Sequence, residues 1–134
     1  METSITQKVK KVLLIDDDKS CNFILGEFIR LVDKDVAKHE CYSVDEAFEF
    51  LDTCEQFPEV IFLDLNMPVK SGFEFLEVYS NRYFNKVSNS KVVVLTSSLR
   101  PSDKSQTTAF KCVSAFKSKS DIDLFIGDII LGKV

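Results

Sequence analysis

Apolar residues fall into two patterns along this chain. Three runs of strand length are apolar throughout: residues 12–15 (VLLI), 60–63 (VIFL) and 92–95 (VVVL). An uninterrupted apolar strand has both faces covered, as at the centre of a parallel sheet. Residues 37–42 (AKHECY) and 113–118 (VSAFKS) mix polar with apolar side chains and suit the less buried edges. Helical stripes separate the strands. Ile24, Leu25, Phe28, Ile29 and Val32 form one; Val44, Ala47, Phe48 and Leu51 form another, led by Ser43 with Glu46 three residues on. Ser71 and Glu74 repeat that capping-box signal before Phe75, Leu76 and Tyr79. Ile122, Phe125, Ile126, Ile129 and Ile130 form the last stripe, with Asp121 and Asp123 in its acidic first turn. After Pro101 the segment SDKSQTTAFK is polar and nearly stripeless, so the helix expected there has little apolar surface. Residues 81–91 read as the end of the third helix and a long loop.

Alternating strand and helix predicts a (βα)5 unit with a doubly wound parallel sheet. Right-handed crossovers and the edge positions fit the flavodoxin-like order 2-1-3-4-5. In such a sheet ligands bind beyond the carboxyl ends of the strands, near the switch point between strands one and three. Residues 1–9 form a short tail, and 10–134 one domain with no output domain attached.

Composition narrows the setting. The chain has 134 residues and a net charge of −4, with no Lys/Arg run, so no nucleic-acid surface is expected. No apolar stretch reaches membrane-spanning length, and the N-terminus METSITQKVKK lacks the apolar core of a secretory signal. Cys21, Cys41, Cys54 and Cys112 show no C-x-x-C spacing and read as reduced thiols of a cytoplasmic protein.

The strand ends carry the chemistry. The first strand runs into Asp16, Asp17 and Asp18, the third into Asp64, the fourth into Thr96, Ser97 and Ser98, and the fifth into Lys117, Ser118 and Lys119. Clustered carboxylates repel one another, so one of them should hold a proton or all should share a cation. An oxygen-only donor set points to Mg²⁺ or another hard cation, and a hydroxyl and a lysine beside it suit a phosphoryl group. Asp18 reads better as a helix cap than as part of the site.

The acidic pair after VLLI, Asp64 in IFLDLNMP, Gly72, Thr96 after VVVL and Phe116-x-x-Lys119 together resemble the receiver domain of two-component response regulators over nearly the whole chain. The resemblance implies that Asp64 accepts a phosphoryl group. It also implies that Asp17, Asp64 and the Asn66 carbonyl hold Mg²⁺, with Asp16 acting mainly through water. Thr96 and Lys119 would bind the phosphoryl group, and Thr96 and Phe116 would carry a conformational switch. The implied donor is a phosphohistidine on a histidine kinase or a histidine-phosphotransfer domain. The implied output is a surface of the fourth helix, fifth strand and fifth helix. The chain would therefore signal, without being an enzyme in the ordinary sense. His39, on an expected edge strand, is far from this rim.

Some positions depart from the pattern. Ser120 stands where receivers usually have proline, Phe116 where many have tyrosine, and Lys117 is a second lysine beside Lys119. Asn66 and Ser98 flank the expected path of a hydrolytic water. Two other classes fit less well. An acid-nucleophile phosphatase of the haloacid dehalogenase type needs a second acid at Asn66. A nucleotide-binding module needs a glycine in DDDKSCN.

Overall fold

The computed structural model describes residues 8–86, 90–97 and 100–133. Its strands are β1 (Lys11–Ile15), β2 (Ala37–Cys41), β3 (Val60–Asp64), β4 (Lys91–Thr96) and β5 (Val113–Ser118). They alternate with helices α1 (Lys19–Val32), α2 (Val44–Thr53), α3 (Gly72–Arg82), α4 (Pro101–Thr108) and α5 (Ile122–Ile130), and a 3₁₀ turn, Lys119–Asp121, leads into α5. All strand pairs are parallel and the order is β2-β1-β3-β4-β5, the flavodoxin-like α/β arrangement expected from the sequence. β1, β3 and β4 are buried nearly throughout, whereas β2 and β5 lie at the edges. No described helix is long and apolar enough to cross a membrane.

Period-two alternation splits the core into two layers. Leu13, Ile15, Ile61, Leu63, Val92 and Val94 pack with Ala47, Leu51, Phe75, Leu76 and Tyr79 of α2 and α3. Val12, Leu14, Val60, Phe62, Val93 and Leu95 pack with Leu25, Ile29, Phe125, Ile126 and Ile129 of α1 and α5. Each central strand thus feeds both layers, which explains why its sequence is apolar without interruption.

The helices follow the expected signals with two differences, one at a start and one in a stripe. Asp18 caps α1 by accepting from the Ser20 and Cys21 N–H groups at 2.8 and 3.4 Å. The box at α3 is complete, with Ser71 and Glu74 each accepting from the other's backbone N–H. At α2 only half of it forms. Ser43 accepts from Glu46 N–H at 3.1 Å, but the Glu46 carboxylate takes the N–H of Tyr42 instead, at 3.2 Å. On α1 the buried face is Asn22, Leu25, Gly26 and Ile29; Ile24, expected in the stripe, is 49% exposed. It sits beside the contact line of α1 with the sheet, where a periodicity of 3.6 alone cannot separate the edge of a stripe from its centre.

Candidate functional site

Strand parity delivers the acids. Val12 and Leu14 face the α1/α5 layer, and Asp16 is the next residue of that parity; on β3 the same holds for Val60, Phe62 and Asp64. Asp16 and Asp64 are only 6% and 5% exposed, whereas Asp17, of opposite parity, is exposed. One carboxylate oxygen from each of Asp16, Asp17 and Asp64 lies within 4.8 Å of the other two. Among the described residues this is the one cluster of potential metal-binding side chains. Its donors are all oxygen, so it fits a small hard cation such as Mg²⁺ or Mn²⁺.

The opposing charge comes from Lys119, first residue of the 3₁₀ turn. Its ammonium donates to Asp16 Oδ2 at 2.7 Å and lies 3.2 Å from Asp64 Oδ1. Lys117 is turned elsewhere, with its Nζ 5.9 Å from the centre of the Phe125 ring. The turn is shaped by serines. Ser118 accepts from the Ser120 N–H at 3.2 Å and its hydroxyl meets that of Ser120 at 2.8 Å, and no peptide bond among the described residues is cis.

Burial, and then the charge of Asp16, push the Asp64 carboxyl up to about 6; Lys119 and the Asn66 backbone N–H pull the other way without prevailing. Burial lowers the basicity of Lys119, but the two carboxylates outweigh it and hold the ammonium above its usual range. The buried nucleophile candidate and its lysine are therefore an ion pair at neutral pH, with excess negative charge left on the rim.

Tight packing supports Asp64 from behind. The Gly72 N–H donates to the Leu65 carbonyl at 2.9 Å, and a Cβ on Gly72 would stand 2.6 Å from the Asp64 carbonyl oxygen and 2.8 Å from Leu65 Cα. Only glycine permits this approach of α3 to the segment leaving β3. Pro68, Val69 and Lys70 then close a tight turn, with the Lys70 N–H bonded to the Pro68 carbonyl at 2.8 Å and Val69 at φ 69°.

The other expected residues sit on β2, β4, β5 and the segment that follows β3. Asn66 is exposed, two residues beyond Asp64. Thr96 ends β4 and is fully buried; Asp64 pairs in register with Leu95 just before it. Phe116, half-buried on β5, packs against the α2/α3 layer. Ser98 lies outside the described residues. His39 is exposed on edge strand β2 and stacks on Phe50, 4.1 Å between ring centres. Sequence reasoning passed over two close neighbours of the rim. Cys21 Sγ is 3.9 Å from Lys119 Nζ, and Asn22, 2% exposed, bonds the Asp16 carbonyl. Asn22 left one readable signal, an amide in register with the buried Leu25, Gly26 and Ile29.

A model of the response regulator receiver domain matches residues 12–117. The chain belongs to the response regulator receiver domain family. No curated protein matches it significantly. Among solved structures this receiver is similar to a two-component response regulator from Cytophaga hutchinsonii, with 30% identity, 84% of this chain and 86% of that one covered and a TM-score of 0.77. The Mn²⁺-bound form of response regulator Rcp1 is 25% identical, with 93% and 96% covered and a TM-score of 0.72. The phosphorylated cyanobacterial phytochrome response regulator RcpA, at 24% identity, 90% coverage of both chains and a TM-score of 0.75, shares the fold. Receivers are signalling proteins of two-component systems, acting with histidine kinases or phosphotransfer proteins and downstream effectors.

Proposed function

We propose that this receiver takes a phosphoryl group from a phosphohistidine onto Asp64 and signals through the α4–β5–α5 face. The observation that carries the reading is the pairing of a buried strand-end carboxylate, Asp64, with Lys119 at 3.2 Å inside a three-carboxylate cluster. An Asp64 oxygen attacks phosphorus; the P–N bond breaks, and its electron pair leaves on the imidazole nitrogen of the donor, which then takes a proton. The product is an acyl phosphate on Asp64. β3, buried on both faces, fixes the nucleophile, and positioning together with charge neutralisation supplies most of phosphoryl-transfer catalysis. Lys119 would pair with oxygens of the transferred group, and the Thr96 hydroxyl, at the end of the adjacent strand, would hydrogen-bond them. Asp17, Asp64 and the Asn66 carbonyl would hold Mg²⁺, with Asp16 acting through water, and the cation would supply the positive charge that three aspartates and one lysine lack. Asp18 is committed to capping α1 and takes no part.

Incubation with acetyl phosphate and Mg²⁺, followed by intact mass, tests the reading. One phosphoryl adduct labile to base and hydroxylamine is expected, and none on Asp64→Asn. Equal labelling of both proteins would remove Asp64 from its role.

A further inference from the structure

Asp16 is held at every polar atom. Its N–H donates to the Cys41 carbonyl at 3.1 Å, its Oδ1 accepts from the Asp18 N–H at 2.9 Å and its Oδ2 from Lys119 at 2.7 Å. Its carbonyl accepts from Asn22 Nδ2 at 3.1 Å. The same Asn22 amide lies 3.4 Å from the Cys41 carbonyl. Both partners are pure acceptors, so the NH₂ end of Asn22 has to face them. One buried amide thus joins the ends of β1 and β2 to the first turn of α1.

Asp17 is the contrast. It is exposed, and no hydrogen bond or ion pair to another described residue holds its carboxylate. With no such contact on the side chain, the backbone decides which positions the carboxylate can reach. The peptide that enters Asp17 is the one whose carbonyl Asn22 grips. Rotation of that peptide plane would swing the Asp17 side chain, while Asp16 would stay tied by its own carboxylate.

We infer that Asn22 is a positioning residue for the metal site: it locks the Asp16–Asp17 peptide so that the otherwise unsupported Asp17 carboxylate is aimed at the cation. The inference rests on the reading of the acidic rim as a divalent-cation site. Groups that orient metal ligands without touching the metal commonly change affinity by about ten- to a hundred-fold when removed. Asn22→Leu keeps the number and branching of the side-chain heavy atoms and deletes both donors.

Mg²⁺ alone, titrated by calorimetry or amide NMR shifts, should bind Asn22→Leu about ten-fold more weakly than wild type. In acetyl phosphate labelling the Mg²⁺ concentration giving half-maximal rate should rise by about the same factor, with the rate at saturating Mg²⁺ within about two-fold of wild type. A residue that merely anchors α1 would lower metal-free stability and leave the Mg²⁺ midpoint unchanged, and that result overturns the inference. Should Asn22→Leu not fold, Asn22→Ala carries the same comparison with the same two outcomes. Absence of Mg²⁺ binding by the wild-type protein would instead overturn the reading of the site itself, and this inference with it.

Discussion

α3 brings Phe75, Leu76 and Tyr79 into the core, each fully buried, and its Tyr79 hydroxyl reaches the Ser90 hydroxyl at 2.9 Å across the loop to β4. α4, on the same sheet, turns only Asp103 and Thr107 inward, and its first turn has no side-chain cap. Phe75 stacks on Phe48 and Tyr79 on Phe75, with ring centres 5.1 and 5.6 Å apart, so α2 and α3 form one aromatic layer. No such layer pins α4, whose Thr107 hydroxyl is spent on its own helix, on the Asp103 carbonyl at 2.9 Å. The difference corresponds to a division of labour. The side chain of Asp64, the proposed nucleophile, faces the α1/α5 layer, but α3 braces its backbone through Gly72, where a small displacement would be costly to phosphoryl transfer. The expected switch residues, Thr96 and Phe116, lie on the strands flanking the loosely packed helix, where two arrangements can differ by little.

The largest expected effect comes from loosening the packed corner. Gly72→Ala puts a Cβ 2.6 Å from the Asp64 carbonyl oxygen, against backbone that cannot rotate away. We expect a loss of about 3 kcal/mol in urea unfolding, together with slower labelling at Asp64. Ser105→Ala, exposed on α4, should stay within about 0.5 kcal/mol of wild type. Similar costs at the two positions would erase the contrast.

A smaller effect, of opposite sign, is expected at the nucleophile. The folded protein holds the Asp64 proton up to about 6, above the usual 3.8, chiefly because the group is buried. Between those two values the unfolded chain has already released the proton and the folded one has not, so this group makes stability fall as pH rises through the window and cost a constant amount above it. Two units correspond to about 2–3 kcal/mol, and loss of the Lys119 pairing in a variant offsets part of that. Metal-free Asp64→Asn should therefore be more stable than wild type at pH 7.5, by about 1–2 kcal/mol, and lose the advantage below pH of about 4. Denaturant melts at both pH values in chelator check this, and an unchanged gap would show that burial of Asp64 is not what separates the two proteins. Lys119 does not enter this window, because its raised pKa keeps it charged at both pH values.

The sequence was most informative where one constraint acted alone. Uninterrupted apolar runs located β1, β3 and β4, and mixed composition placed β2 and β5 at the edges, because burial on two faces leaves no room for a polar side chain. The acids at the strand ends were legible for the same reason, since a carboxylate ending such a run stands out. What stayed hidden depends on how separate elements meet. Nothing in SCN announces that the Asn22 amide will bridge two carbonyls, one of them nineteen residues away in sequence. Gly72 reads as a turn residue, yet its decisive contact is with the backbone of Asp64 and Leu65. The Glu46 carboxylate has two backbone N–H groups in adjacent residues to choose from, and spacing cannot tell Tyr42 from Ser43.

The smallest expected effect in energy bears most directly on signalling. In the resting protein, amide exchange should already be about ten-fold faster in α4 than in α3, because α4 is one short helix with no apolar anchor. Adding Mg²⁺ and a stable phosphoryl mimic should change exchange most between Ser97 and Phe116, and little in α2 and α3. Thr96 is fully buried at the end of β4, beside β3 and its terminal Asp64, and in the proposed switch its hydroxyl makes a contact that exists only when the phosphoryl group is present. A ligand shifts a two-state equilibrium only through such a differential contact. Thr96→Ala should therefore still label at Asp64 but lose most of the change across α4 and β5. A wild-type response confined to the acidic rim would mean that α4, however weakly packed, does not report on Asp64, and that the receiver passes its phosphoryl group onward instead of signalling through its shape.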